Sequence, residues 1–257
     1  MTEPLRSGGK ELPTGKALPT GKALPPGSAF TGDDGTADPE LARRQADYAA
    51  GVTGLGPVVE RLAQVRVLVP ILASLDQEDY TEEGLRYDKE ASAGIVALEA
   101  PDGRTALPVF SSVAAMTAWR PDARPSPADC VRAALSAVAE DWALLVLDPG
   151  NPTQALIPRP AVWAIAQQQP WLPTVDLGVV HPEIQAEVAA VVGAIEHVAA
   201  VTCAPGRSAE LAVVLTLEPG LTRAGLDYVL AQVNRALSQS ELIAQRVDGL
   251  ELRLEQV

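Results

Sequence analysis

Two histidines, His181 and His197, are the chain's whole supply of side chains that titrate near neutral pH without help. Neither sits in a His-x-x-x-His or Glu-x-x-His spacing, so the sequence offers no metal set of the zinc-enzyme kind. Residue order alone permits a Ser-His-Asp triad. However, there is no G-x-S-x-G elbow, and neither histidine has a local carboxylate to orient it. The two cysteines, Cys130 and Cys203, lack Cys-x-x-Cys spacing and fall in apolar elements, so they read as small buried hydrophobes. No G-x-x-x-x-G-K-[ST] loop occurs. Gly54-Leu55-Gly56 has the glycine spacing of a dinucleotide loop, but a helix precedes it and Pro57 follows, so it reads as a helix-breaking loop. Glu82-Glu83 and Glu140-Asp141 fall on expected solvated faces. The acidic stretch Asp76–Glu90 lacks the central Gly and terminal Glu of a calcium loop. The sequence therefore names no catalytic residue, no metal ligand and no cofactor-binding residue.

Residues for binding are easier to nominate. Aromatics make up only 4% of the chain, yet four are tryptophans: Trp119, Trp142, Trp163 and Trp171. Tryptophan and arginine concentrate binding energy at interfaces. Trp142 and Trp163 lie on apolar helix faces and are expected in the core. Trp119 and Trp171 lie beside loops. With Arg120, Asp148 and Asn151 they form the candidate interaction surface. The net charge of −13 argues against sequence-independent nucleic-acid binding and against an anionic membrane surface. No apolar run of about 18 residues and no charged-then-apolar leader is seen, so a cytoplasmic location is expected.

These residues must be positioned by elements that the pattern makes legible. A length of 257 residues with 47% hydrophobic and 21% charged content suits one large or two small folded domains. Residues 1–38 contain the hexad repeat ELPTGK, ALPTGK, ALPPGS (11–28) and read as a disordered tail. Helices are expected at Pro39–Ala50 and Val58–Leu62, and a central strand at Val65–Leu72. Runs at Ile95–Leu98 and Ala106–Phe110 flank a tight turn, Pro101–Arg104, and a short helix then runs from Ser111 or Ser112 to Trp119. The spacing of Val131, Leu135, Val138 and Trp142 predicts an amphipathic helix over Pro127–Trp142, capped by Ser126. A strand at Ala143–Leu147, a turn at Asp148–Asn151, a strand at Gln154–Ile157 and a helix at Ala161–Gln168 follow. Gln169–Val180 is Pro-interrupted and reads as a linker. Beyond it, Pro182–Ile195, His197–Thr202, Leu211–Leu217, Thr222–Arg246 and Leu250–Leu254 give helix, strand, strand, helix, strand.

Several of these pieces resemble one family. VRVLVPIL (65–72), the hairpin Leu98–Arg104, LPVFSS (107–112), Ala118-Trp119 and LLVLDPG (144–150) are similar in order and spacing to the N-terminal domain of the SseB, or enhanced serine sensitivity, proteins. The resemblance spans about Glu60–Gln169, and His181–Val257 is compatible with the family's second domain. Asp148 stands where Asn is more usual in the family, and either residue serves such a turn. The resemblance implies a scaffold and supplies no catalytic residue, since the family's name records a phenotype. The alanine-rich, lysine-poor composition resembles that of GC-rich bacterial proteins.

The expected architecture is α+β: two small domains, each a mixed β-sheet packed by helices, behind a disordered N-terminal tail. The boundaries read 1–38 tail, 39–168 first domain, 169–180 linker and 181–257 second domain. The expected function is non-enzymatic, a cytosolic interaction or regulatory module with a protein partner whose identity the sequence does not give. The alternative is a small-ligand-binding protein or an enzyme with a site at the domain junction, near Asp148–Asn151 and Trp171.

Overall fold

A computed structural model describes Phe30 and residues 32–73, 93–100 and 102–255. The hexad repeat and the acidic stretch Asp76–Glu90 lie outside the described residues. In chain order the elements are helices α1 (Pro39–Ala49) and α2 (Gly56–Leu62), then strands β1 (Arg66–Ala73), β2 (Ala93–Ile95), β3 (Leu98–Glu99) and β4 (Thr105–Val109). Next come α3 (Val113–Trp119), β5 (Arg124–Asp129), α4 (Cys130–Ala139), β6 (Leu144–Leu147), β7 (Ala155–Ile157) and α5 (Arg159–Ala166). The rest is β8 (Val175–Asp176), β9 (Val179–Val180), α6 (Pro182–Val192), β10 (Val198–Pro205), β11 (Leu211–Leu217), α7 (Arg223–Gln239), α8 (Glu241–Arg246) and β12 (Leu250–Glu255). The class is α+β, with mixed and antiparallel sheets.

The chain forms two compact units. One holds the described residues up to Ala42 together with Gln64–Ile157, and the other holds Arg43–Ala63 with Pro158–Val257. In the first unit β1 lies between β2 and β5, antiparallel to both. A second sheet runs β3-β4-β6-β7, with β4 and β6 parallel. Leu68 in β1 exchanges both its backbone hydrogen bonds with Phe110, at 2.8 and 2.9 Å, and so ties the two sheets together. The run at Ile95–Leu98 thus serves two sheets. Its first part pairs with β1 and its last residue with β4.

The stretch from Pro127 to Trp142 differs from its expected form. Residues 124–129 are the strand β5, and the helix starts only at Cys130. A Ser-Pro pair suits a helix start, but proline is equally at home on a sheet edge, and among the described residues β5 pairs with β1 alone. The buried face of α4 is Cys130, Ala133, Ala134 and Ala137, not the larger stripe, and Leu135 is 50% exposed. Small side chains let the helix approach β1, β5 and β6 closely. Trp142 lies beyond the helix and is half-buried.

In the second unit β11 lies between β10, antiparallel, and β12, parallel. Leu211, Val213 and Leu215 share a core with Ile184, Val188 and Val192 of α6 and Val229, Val233 and Leu237 of α7. The expected long helix, Thr222–Arg246, is two helices. Ser240 takes an extended conformation, caps α8 by accepting the Ile243 N–H at 3.3 Å, and donates its hydroxyl to Glu187. The expected linker holds a two-stranded hairpin, β8 and β9. Leu177 and Gly178 at its turn both have positive φ, 45° and 80°, as the tight hairpin turn requires. The loop between β10 and β11 is tied down by Glu251. Its carboxylate accepts from the Ser208 hydroxyl and from the Ser208 and Arg207 N–H groups, and these donors pull it down to about 2.

Candidate functional site

The parallel strands β4 and β6 end side by side, and their C-terminal ends gather most of the residues nominated from sequence. Asp148 follows β6 with φ 50°, in the left-handed region that Asp and Asn tolerate better than other side chains. Its buried carboxylate accepts the Ser111 N–H at 2.8 Å and the Ser111 hydroxyl at 2.7 Å. Its own N–H bonds the Val109 carbonyl at 2.9 Å. Asn151 closes the turn, its N–H on the Asp148 carbonyl at 3.1 Å and its side chain accepting from Thr153. Ser112 caps α3 through the Ala115 N–H at 3.1 Å.

Trp119, the last residue of α3, is half-buried. Its ring centroid lies 5.2 Å from that of Phe110, and the Arg120 guanidinium carbon lies 5.8 Å from the Trp119 ring centroid. Trp119 packs both against the cluster of Leu68, Phe110 and Met116 and against that of Leu98, Ala106, Leu144 and Val146. Gly150 sits against the same indole. Trp119, Arg120, Asp148 and Asn151 therefore lie together at one end of the first unit, where the side chains of Asp148 and Asn151 hold backbone in place and Arg120 lies over Trp119 and 3.7 Å from the Asp122 carboxylate.

The other groups singled out above have local roles. His181 accepts the Glu183 N–H at 3.4 Å as the N-cap of α6. His197 Nδ1 lies 2.9 Å from Glu218 Oε2. Burial pushes the Cys130 thiol up to about 12 and raises that of half-buried Cys203, so neither is poised as a nucleophile. At Gly54 an added Cβ would collide with the Asp176 carboxylate. The glycine there accommodates a side chain of the same unit, which explains the glycine without a phosphate. Among the described residues no group of three or more His, Cys, Asp and Glu side chains could hold a metal ion. Among them, too, no helix is long and apolar enough to cross a membrane.

The fifth nominated residue, Trp171, lines a cleft of about 470 Å³ within the second unit. α5 supplies Arg159 and Trp163, and the segment after it supplies Trp171 and Leu172. The end of α8 supplies Arg246. Gln167, Gln169 and Gln245 also line it, and no Asp or Glu does. Trp163, expected in the core, is 45% exposed, because α5 buries its other face through Pro160, Ala161, Val162 and Ile165. Leu172 is 51% exposed. Arg159 donates Nη2 to the carbonyls of Ala244 and Val247 at 3.2 and 3.3 Å, closing the end of α8. Arg246 pairs with Glu183 at 2.7 Å and donates to the Leu172 carbonyl at 3.2 Å. Sequence reading reached Trp171 but missed both arginines. They stand 87 positions apart in the sequence, and no spacing rule links them.

No curated protein and no solved structure is significantly similar to the chain. Residues 44–164 match the family model described as the SseB protein N-terminal domain. That span takes in the paired ends of β4 and β6, the Asp148 turn and the Phe110–Trp119 packing, the features that the motif resemblance rested on. The chain thus carries an SseB N-terminal domain over residues 44–164.

Proposed function

We propose that this protein is a cytosolic interaction module, acting by surface contact with a protein partner and not by turnover. The cleft of the second unit carries the reading. Exposed Trp163 and Leu172 stand beside Trp171, Arg159 and Arg246, and these aromatic and guanidinium groups are the types that anchor interfaces. The Trp119 end of the first unit is a weaker candidate, because that indole is engaged by Phe110 and Arg120. A net charge of −13 also suits a protein partner better than a nucleic acid. The test is capture from native lysate by the full chain and by Trp163→Ala, whose side chain faces solvent. The variant should stay folded and lose at least about tenfold in capture, as for an interface hot spot. Full capture by the folded variant would move the interface elsewhere. Turnover of a metabolite by the purified chain would overturn the non-enzymatic reading.

A second reading, a small-ligand binder, is favoured by one observation: the cleft volume is that of a small-molecule site. Stabilisation in a thermal-shift screen against amino acids and nucleotides would support it.

A further inference from the structure

Among the described residues three buried side-chain polar atoms have no hydrogen-bond partner, and two of them, Trp171 Nε1 and Arg246 Nε, belong to residues of this one cleft. Native chains rarely leave a buried donor without an acceptor. The two are neighbours as well, since Arg246 Nη2 donates to the carbonyl of Leu172, the residue after Trp171. Both lack the same thing, an oxygen acceptor. In a chain of net charge −13 the cleft is lined by two arginines and no carboxylate. We infer that the cleft receives a carboxylate from an acidic peptide segment of the partner, paired with the Trp171 indole N–H and the Arg246 guanidinium; this rests on the partner-binding reading above.

The chemistry around the donors selects among anions. One terminal nitrogen of Arg246 is already paired with Glu183, and Arg159 is committed to two carbonyls. The remaining positive field suits a single charge better than a doubly charged phosphate. Exposed Trp163 and Leu172 offer apolar surface for a side chain next to the carboxylate. The three glutamines can donate to and accept from an extended peptide backbone. Water does not reach either unpartnered N–H, so docking includes a small shift of Trp171, itself only half-buried.

The experiment is calorimetric titration of the full chain with acetyl-Leu-Glu-Leu-amide, its twin acetyl-Leu-Gln-Leu-amide, and N-acetylleucine. The Glu peptide should bind about tenfold tighter than the Gln twin, the scale of a charge-assisted hydrogen bond. Trp171→Phe removes one donor but keeps an aromatic ring, and Arg246→Lys removes the Nε donor but keeps the charge. Each, checked for fold by circular dichroism, should shrink that preference, whereas Trp163→Ala should weaken both peptides alike. Equal binding of the twins would overturn the carboxylate inference and leave the interaction reading standing. No binding of either peptide at millimolar concentration would overturn it too, with lysate capture still deciding the interaction reading. N-acetylleucine binding as tightly as the Glu peptide would make this a small-acid site and overturn the peptide occupant.

Discussion

Asp148 carries three structural duties in one residue. It accepts twice from Ser111, holds a left-handed backbone conformation, and starts the turn that Asn151 closes. Asn can do most of this, since one amide oxygen still accepts the Ser111 N–H and the Ser111 hydroxyl can turn to accept from the amide nitrogen. Ala cannot. Asp148→Asn should therefore stay within about 1 kcal/mol of the parent in denaturant melts, as a neutral hydrogen bond replaces a charged one. Asp148→Ala should lose about 2–4 kcal/mol, from an unsatisfied buried donor plus the positive φ. Equal effects of the two substitutions would mean that Ser111 is held by something other than this carboxylate.

At the scale of elements, α4 shows how a hydrophobic pattern can mislead. Its larger apolar residues, Val131, Leu135 and Val138, recur at helical spacing, but the helix buries the alanine face beside them. Periodicity marks a face without saying which of two adjacent apolar stripes can come close enough to a sheet. Leu135→Lys should accordingly change stability by no more than about 0.5 kcal/mol. Ala134→Leu should cost about 1–3 kcal/mol or more by overpacking. The reverse order in thermal melts would restore the larger stripe to the core. The same limits explain the rest of the comparison. The hairpin pairing Ala100 with Arg104, the Ser112 cap and the Asp148 turn were legible, because each is set by residues within a few positions. The break at Ser240 was not, because Glu187, fifty-three residues away, supplies the partner of its hydroxyl. Nor were the cleft arginines, for the same reason of distance.

At the scale of the molecule, residues ahead of α1 are held to the first unit. Arg66 at the start of β1 forks onto the Asp33 carboxylate at 2.6 and 3.0 Å and also donates to the carbonyls of Thr36 and Ser111. Gly35 accepts the Val113 N–H at 2.9 Å. Residues 33–36, which the sequence reading put in the tail, are thus bonded to the first unit. The Arg66 guanidinium holds the Asp33 carboxyl below its usual range. A carboxyl lowered on folding stabilises above its ordinary value, near 3.8, and loses that contribution as the pH falls through the lowered one. A chain starting at Pro39 should be less stable than one starting at Phe30 by about 1–3 kcal/mol at pH 7, the worth of charge-assisted hydrogen bonds. That gap should narrow in acid melts below pH 3.8. A gap that is constant with pH would assign the effect to packing instead. A different property of the whole follows from the prolines of β5. Leu68 spends its backbone groups on Phe110, so opposite it Pro127, and two residues on Pro125, turn theirs away from β1 toward the open side. Proline brings a carbonyl there but no N–H. That margin of β5, which pairs with no other strand among the described residues, thus offers at both prolines only an acceptor where another chain's strand would need a donor as well, which disfavours strand addition and guards the protein against edge-to-edge aggregation along that side.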